Sequence, residues 1–247
     1  MKADPFVQLR LLDLQVLDSK VDRLAHQRRT LPELAEITRL AGLVAARRDD
    51  VVLAETVVAD LQRELDKAEA DIEQVRTRKS RDEQRLASGA ITVAKQLTEI
   101  EHEVATLARR QSDLEDAELE VMERMETAQA ELDRLLAERS SHELASAAAA
   151  VSRDAAWERI DAEVTTARRD REAVAGEITP DLLALYEKIR AAEGGIGAAP
   201  IAQIRCGGCR LELLTNEKSA FRTAPVDEVL RHEECRRIVV RTAESGL

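Results

Sequence analysis

The chain has 247 residues, a formal net charge of -11, 34% charged residues and only 2% aromatic ones. So few aromatics exclude a thick globular interior, and the negative balance excludes a protein that coats nucleic acid or anionic membrane along its length. Abundant Ala, Leu, Glu and Arg predict long helices with one narrow buried stripe, and hence an elongated molecule.

No apolar run reaches the roughly 18 to 20 residues that span a bilayer, and the opening "MKADPFVQLR" lacks the apolar core of a signal peptide. The expectation is a soluble, cytoplasmic protein with no membrane partner.

A first helical arm is predicted from Asp4 to Ala87, interrupted at Thr30-Leu31-Pro32-Glu33. This T-x-x-E reads as a capping box with proline in the first turn, which restarts a helix. Steps of 3 and 4 from Val51 reach Ala54, Val58, Leu61, Leu65, Ala68, Ile72 and Val75, the period of a coiled-coil seam. Ser88-Gly89 breaks the pattern, and Thr92 is placed to N-cap a second long helix, so 87–92 reads as a hairpin tip.

The same stepping from Leu97 to Leu135 meets only two polar residues, Gln111 and Glu118, and it resumes at Trp157 through Ile160, Val164, Ala167, Arg171, Val174 and Ile178. A returning arm without Gly or Pro from Val93 to Ala175 would measure roughly 120 Å at about 1.5 Å per residue. Arms of nearly equal length favour a kink at 30–33 over a reversal. The seam count fails at Arg139 and His142, opposite that break, which implies a joint shared by both arms. His26, His102 and His142 are scattered along these helices and read as ordinary helix residues.

Thr179-Pro180 opens a short helix to Ala192, and "EGGIGAAP" has the composition of a linker. The tail from 201 to 247 holds eight Lys/Arg against seven Asp/Glu and all three cysteines. Cys206 and Cys209 form a C-x2-C; after 22 residues His232 and Cys235 form an H-x2-C. Short β-prone runs at Ile201–Ile204, Leu211–Leu214, Val229–Leu230 and Ile238–Val240 flank these pairs. Together they describe a zinc ribbon, with two tight knuckles on a small antiparallel sheet.

A two-residue gap lets both side chains of a knuckle converge on one tetrahedral ion, with Gly207 and Gly208 easing the first turn. Three thiolates and one imidazole suit Zn2+, so Cys206, Cys209, His232 and Cys235 are the predicted ligands of one structural ion. Four protein ligands leave no position for water. No phosphate loop, nucleophile elbow or HExxH accompanies them, which argues against an enzyme and a small-molecule substrate. "CGGC" as a thioredoxin-type pair would need a βαβ setting that this sequence lacks. Arg205, Arg210, Lys218, Arg222, Arg236 and Arg237, with Arg231 and Arg241, are the candidate contacts to nucleic acid or a partner. The acids nearby read equally well as their surface counterions.

With "LLDLQVLDSKVDRLAHQRRTLPELAE" at the start, "ASGAITVAKQLTEIEHEVATLARRQSDLEDAELEVMERME" at the tip and "CGGCRLEL" at the first knuckle, the whole chain resembles the bacterial four-cysteine-type zinc ribbon family, and most of all its actinobacterial members. The resemblance implies a kinked antiparallel hairpin with a zinc domain at its open end and a non-enzymatic adaptor role. Some relatives are associated with the nitrogen-type sigma factor or with flagellar transcript control, and nucleic-acid binding has been proposed for the ribbon. The sequence departs from the family pattern at His232, where cysteine is usual, at Arg236, where glycine is usual, and at the tip, where Ala94-Lys95-Gln96 replaces Pro-Lys-Glu.

The sequence therefore predicts a mainly α chain: a long, antiparallel, kinked coiled-coil hairpin over 1–178, a short helix and linker over 179–200, and a small β zinc ribbon over 201–247. The expected function is a zinc-binding adaptor that contacts protein partners, with nucleic-acid binding through the ribbon as the alternative.

Overall fold

The computed structural model describes residues 1–247. Five helices and four short strands occur in the order α1 (Pro5–Arg29), α2 (Pro32–Ala87), α3 (Ala94–Gly176), α4 (Pro180–Ala192), β1 (Ala198–Ala202), β2 (Arg205–Cys206), α5 (Thr215–Thr223), β3 (Leu230–Arg231) and β4 (Ile238–Val240). Packing divides the chain into two units, one of Met1–Leu34 with Ala150–Leu247 and the other of Ala35–Ala149.

In the unit of residues 35–149, α2 and α3 are antiparallel partners. Arg47 pairs with Glu138, Glu64 with Arg124 and Arg76 with Glu115, so numbers rise on one helix as they fall on the other. Between them Val51, Leu132 and Leu135 are buried, with Ala54, Val58 and Leu136 packed around them. Along α3, reduced exposure recurs at 104, 107, 111, 114, 118, 121, 125, 128, 132 and 135, the predicted seam. Gln111 and Glu118 keep their places in it although both are polar.

In the other unit, α1 takes the C-terminal stretch of α3. Leu24 and Leu31 pack on Ala156 and Ile160, Arg28 pairs with Asp161, and Arg10 pairs with Glu177. The break after α1 thus separates two helices that each pack on a different stretch of α3, α1 on its C-terminal part and α2 on its earlier part. Trp157 sits at this break, with its indole N–H donating to the Arg28 carbonyl at 3.2 Å and the guanidinium groups of Arg28 and Arg153 each 4.6 Å from its ring centre.

Two local expectations are corrected. Thr30 is the C-cap of α1: its hydroxyl donates to the His26 carbonyl at 3.0 Å, and the Leu31 carbonyl accepts the first bond of α2 from the Leu34 N–H. At the tip the Val93 carbonyl, not a Thr92 cap, begins α3 by accepting from the Leu97 N–H. In addition, α3 runs unbroken through Arg139 and His142, where the sequence implied a joint. Both remain half-buried, so polar side chains fill seam positions without ending the helix.

The four strands form one sheet in the order β2-β1-β4-β3. The sheet is mixed rather than antiparallel as expected, because β1 and β4 run parallel with Ala198 opposite Ile238 and Pro200 opposite Val240. A parallel pair needs a long crossover. Here that crossover holds both knuckles and α5, a helix in a stretch for which the sequence predicted no element.

The glycine-rich stretch is packed down rather than free. The Gln15 side-chain carbonyl accepts from the Gly197 N–H at 2.7 Å, and its amide donates to the Gly195 carbonyl at 2.9 Å. A Cβ on Gly197 would lie 2.7 Å from the Tyr186 carbonyl oxygen, so only glycine allows this approach. Beneath it Leu11, Leu14, Leu182, Tyr186, Ala198 and Ile238 share one core, which joins α1 and α4 to the sheet. The N-terminus completes the edge, as the Ala3 N–H donates to the Asp227 carbonyl and the Val229 N–H to the Met1 carbonyl.

Candidate metal centre

Cys206 lies at the end of β2, and the backbone then closes a tight turn in which the Arg210 N–H donates to the Cys206 carbonyl at 2.7 Å. The second knuckle repeats it: the Arg236 N–H donates to the His232 carbonyl at 2.8 Å. Arg210 at φ +67° and Arg236 at φ +55° occupy the same left-handed position, each directly after a cysteine. C-G-G-C-R and H-E-E-C-R are therefore two copies of one backbone device.

The turns bring Cys206, Cys209, His232 and Cys235 together, with all four ligand atoms within 4.8 Å of one another. The sulfurs of Cys206 and Cys235 are 3.8 Å apart, and His232 Nδ1 is 3.4 Å from Cys209 Sγ and 3.1 Å from Cys235 Sγ. Zn–S bonds of about 2.3 Å at tetrahedral angles place sulfurs about 3.8 Å apart, so the spacing fits one such ion. All three cysteines are free thiols, and the cluster could hold a metal ion.

Burial pushes the Cys206 thiol up to about 11, and the N–H groups of Cys209 and Gly208, bonded to its sulfur, partly oppose this. A bound cation would reverse that balance by stabilising the thiolate.

The imidazole edge facing away from the sulfurs is informative. His232 Nε2 is buried without a hydrogen-bond partner, and the nearest charged atom is Glu217 Oε2 at 3.7 Å. Glu217 was not singled out by sequence reasoning. Its signal was a glutamate in the first turn of a short helix, and no helix was read at 215–223. In the structure it accepts from the N–H groups of Leu214 at 3.0 Å and Glu233 at 2.8 Å.

The basic candidates divide into two groups. Arg237 donates to the carbonyls of Glu193 at 2.6 Å and Ile196 at 3.1 Å, and Lys218 pairs with Glu212 at 2.6 Å. Arg241, similarly, donates to the carbonyls of Phe221 and Ala224. Arg205, Arg210, Arg222 and Arg236 are exposed.

The helices decide the relationship. Residues 14–194 match the model of the CT398-like coiled coil hairpin domain. The chain belongs to the CT398-like coiled-coil hairpin family. The Mycobacterium tuberculosis protein Rv2229c, itself uncharacterized, is 36% identical over 241 residues, covering 98% of each chain. A Mycobacterium leprae relative, ML1638, is 32% identical over 220 residues, or 88% of this chain and 93% of its own. A solved structure from Mycobacterium smegmatis superposes with a TM-score of 0.85 at 36% identity, covering 98% of this chain and all of that one. CT398 from Chlamydia trachomatis shares the fold with a TM-score of 0.65 at 20% identity, over 96% of this chain and 98% of its own. The family's matched span ends before Cys206, so the four-ligand cluster stands on its own geometry. No helix is long and apolar enough to cross a membrane.

Proposed function

We propose that this family member is a non-enzymatic zinc protein of the cytoplasm, in which one structural ion holds the 201–247 region and the coiled-coil helices dock protein partners. The observation that carries this reading is the cluster of three thiols and one imidazole at tetrahedral spacing, built into the same packing unit as α1 and α4. Four protein ligands fill a tetrahedral ion, so the zinc supplies folding energy and no open position for a substrate.

Metal analysis of the natively purified protein and absorption spectroscopy after Co2+ substitution test the site. One equivalent of zinc and a tetrahedral spectrum of three sulfurs and one nitrogen are expected; a spectrum with an exchangeable water overturns the closed site. Affinity capture with the wild type and with Cys206→Ser separates partners of the zinc-held region from those of the helices. Capture of no partner by either contradicts the adaptor role.

Nucleic-acid binding is the second reading, favoured by the exposed Arg205, Arg210, Arg222 and Arg236. It predicts binding that falls steeply with added salt. Salt-insensitive or absent binding rejects it.

A further inference from the structure

We propose that Glu217 is a positioning residue that fixes the His232 tautomer, so that Nδ1 presents its lone pair to the metal; this rests on the zinc reading above. The side chains of His232 and Glu217 are 0% and 1% exposed. A carboxylate this deep is costly unless it is fully bonded. Two backbone donors hold it, the N–H of Leu214 at the start of α5 and the N–H of Glu233, next to His232. Glu217 thereby ties α5 to the second knuckle and keeps an oxygen aimed at Nε2.

The chemistry assigns the proton. A carboxylate only accepts, so it favours the tautomer with the hydrogen on the nitrogen that faces it. A neutral imidazole has one N–H, and with that hydrogen on Nε2 the lone pair lies on Nδ1, which faces the sulfurs of Cys209 and Cys235. Carboxylates behind metal-bound histidines orient the ring in this way. At 3.7 Å the Glu217 oxygen stands about 0.5 Å beyond hydrogen-bond range of Nε2, so the bond must close when the metal seats the ring.

Charge alone predicts the opposite contribution. Three thiolates and Zn2+ already sum to -1, so a buried carboxylate acting only through its field would weaken the centre, and its neutral isostere would strengthen it. Cysteine at position 232 would have no second polar atom to orient, so the effect of Glu217 must depend on histidine.

The test is a double-mutant cycle in the full-length protein, measuring Zn2+ affinity by competition with a chelator for the wild type, Glu217→Gln, His232→Cys and the double variant. Glu217→Gln should lower affinity about tenfold or more in the His232 background, the range typical of such carboxylates. It should change affinity little when residue 232 is cysteine. Nitrogen-15 NMR of the zinc-loaded wild type should show Nε2 protonated and Nδ1 bound.

Equal losses in both backgrounds, no loss in either, a gain with glutamine, or metal on Nε2 each overturn the role of Glu217 while leaving the zinc site intact. A wild type with no zinc affinity overturns the zinc reading and this inference with it.

Discussion

The Tyr186 hydroxyl lies 2.7 Å from Oδ2 of Asp18 and donates its single proton there. Burial, reinforced by that bond, holds the phenol well above its usual titration range. Asp18 also accepts from Arg171 Nε at 2.7 Å, and Arg190 Nε is 3.5 Å away. Tyr186→Phe leaves the carboxylate its cations and should cost about 1–2 kcal/mol. Asp18→Ala removes the buried acceptor shared by the Tyr186 hydroxyl and Arg171, which keep only Gln15 and Glu187, and the counterion beside Arg190, and should cost about 3 kcal/mol. Trp157, the only tryptophan, lies in this unit, so denaturant unfolding tracked by its fluorescence reads both. Equal costs would mean that Asp18 is not the hub.

Gly197→Ala should be among the most damaging small changes. The new methyl would meet the Tyr186 carbonyl oxygen and its ring carbon Cδ2, each at 2.7 Å, and the oxygen belongs to the backbone of α4. Overpacking of this kind costs about 1–3 kcal/mol. The same fluorescence measurement checks it, and an unchanged midpoint would show that the stretch 195–198 is not docked.

Arg210→Gly and Arg236→Gly should each stabilise the protein. A non-glycine residue in the left-handed region costs about 1–2 kcal/mol, offset in part by the greater freedom of glycine when unfolded. A net gain of about 0.5–1 kcal/mol is expected at each site. Melting of the zinc-loaded variants reports the sign.

Metal uptake should strengthen with pH. Cys206 is raised from an ordinary value of 9.0 to about 11 by burial, so at neutral pH it is a thiol whose proton the metal must displace. Apparent zinc affinity should rise about tenfold per pH unit for each proton displaced. The metal-free form shows the raised-pKa sign: this thiol contributes nothing to pH dependence below the unfolded value, and stability falls as pH rises from about 9 towards 11. Calorimetric titration in buffers of different ionisation heat counts the protons released.

Arg237→Ala should destabilise the unit by about 2 kcal/mol, since two backbone carbonyls lose a charged donor. Arg222→Ala, at an exposed residue, should leave stability within about 0.5 kcal/mol. Any nucleic-acid affinity is therefore tested through Arg205, Arg210, Arg222 and Arg236, because loss of binding with Arg237→Ala would mix recognition with unfolding.

The coiled-coil seam was legible because its signal is local. Each buried position on α3 lies three or four residues from the next, and one period carries the pattern past Gln111 and Glu118. The clustering of Cys206, Cys209, His232 and Cys235 was legible for a related reason, since each pair sits within one turn and two-residue spacing has few other uses. Capping was less so. Thr30 suits an N-cap by type, but its hydroxyl found the carbonyls at the end of α1 first, and short polar side chains serve either end of a break.

Sequence by itself determined the four longer helices α1 to α4, their heptad register, the break near Thr30, the tip near Gly89 and the pairing of Cys206 with Cys209 and of His232 with Cys235, all properties of neighbours along the chain. Tertiary structure decided the parallel pairing of β1 with β4, the docking of 195–198 by Gln15, the use of Arg237 as a half-buried strut and the placement of Glu217 behind His232. Those depend on residues that meet across long stretches of chain. The free energy that selects them comes from a shared core and satisfied buried polar groups, and no window along the sequence contains both partners.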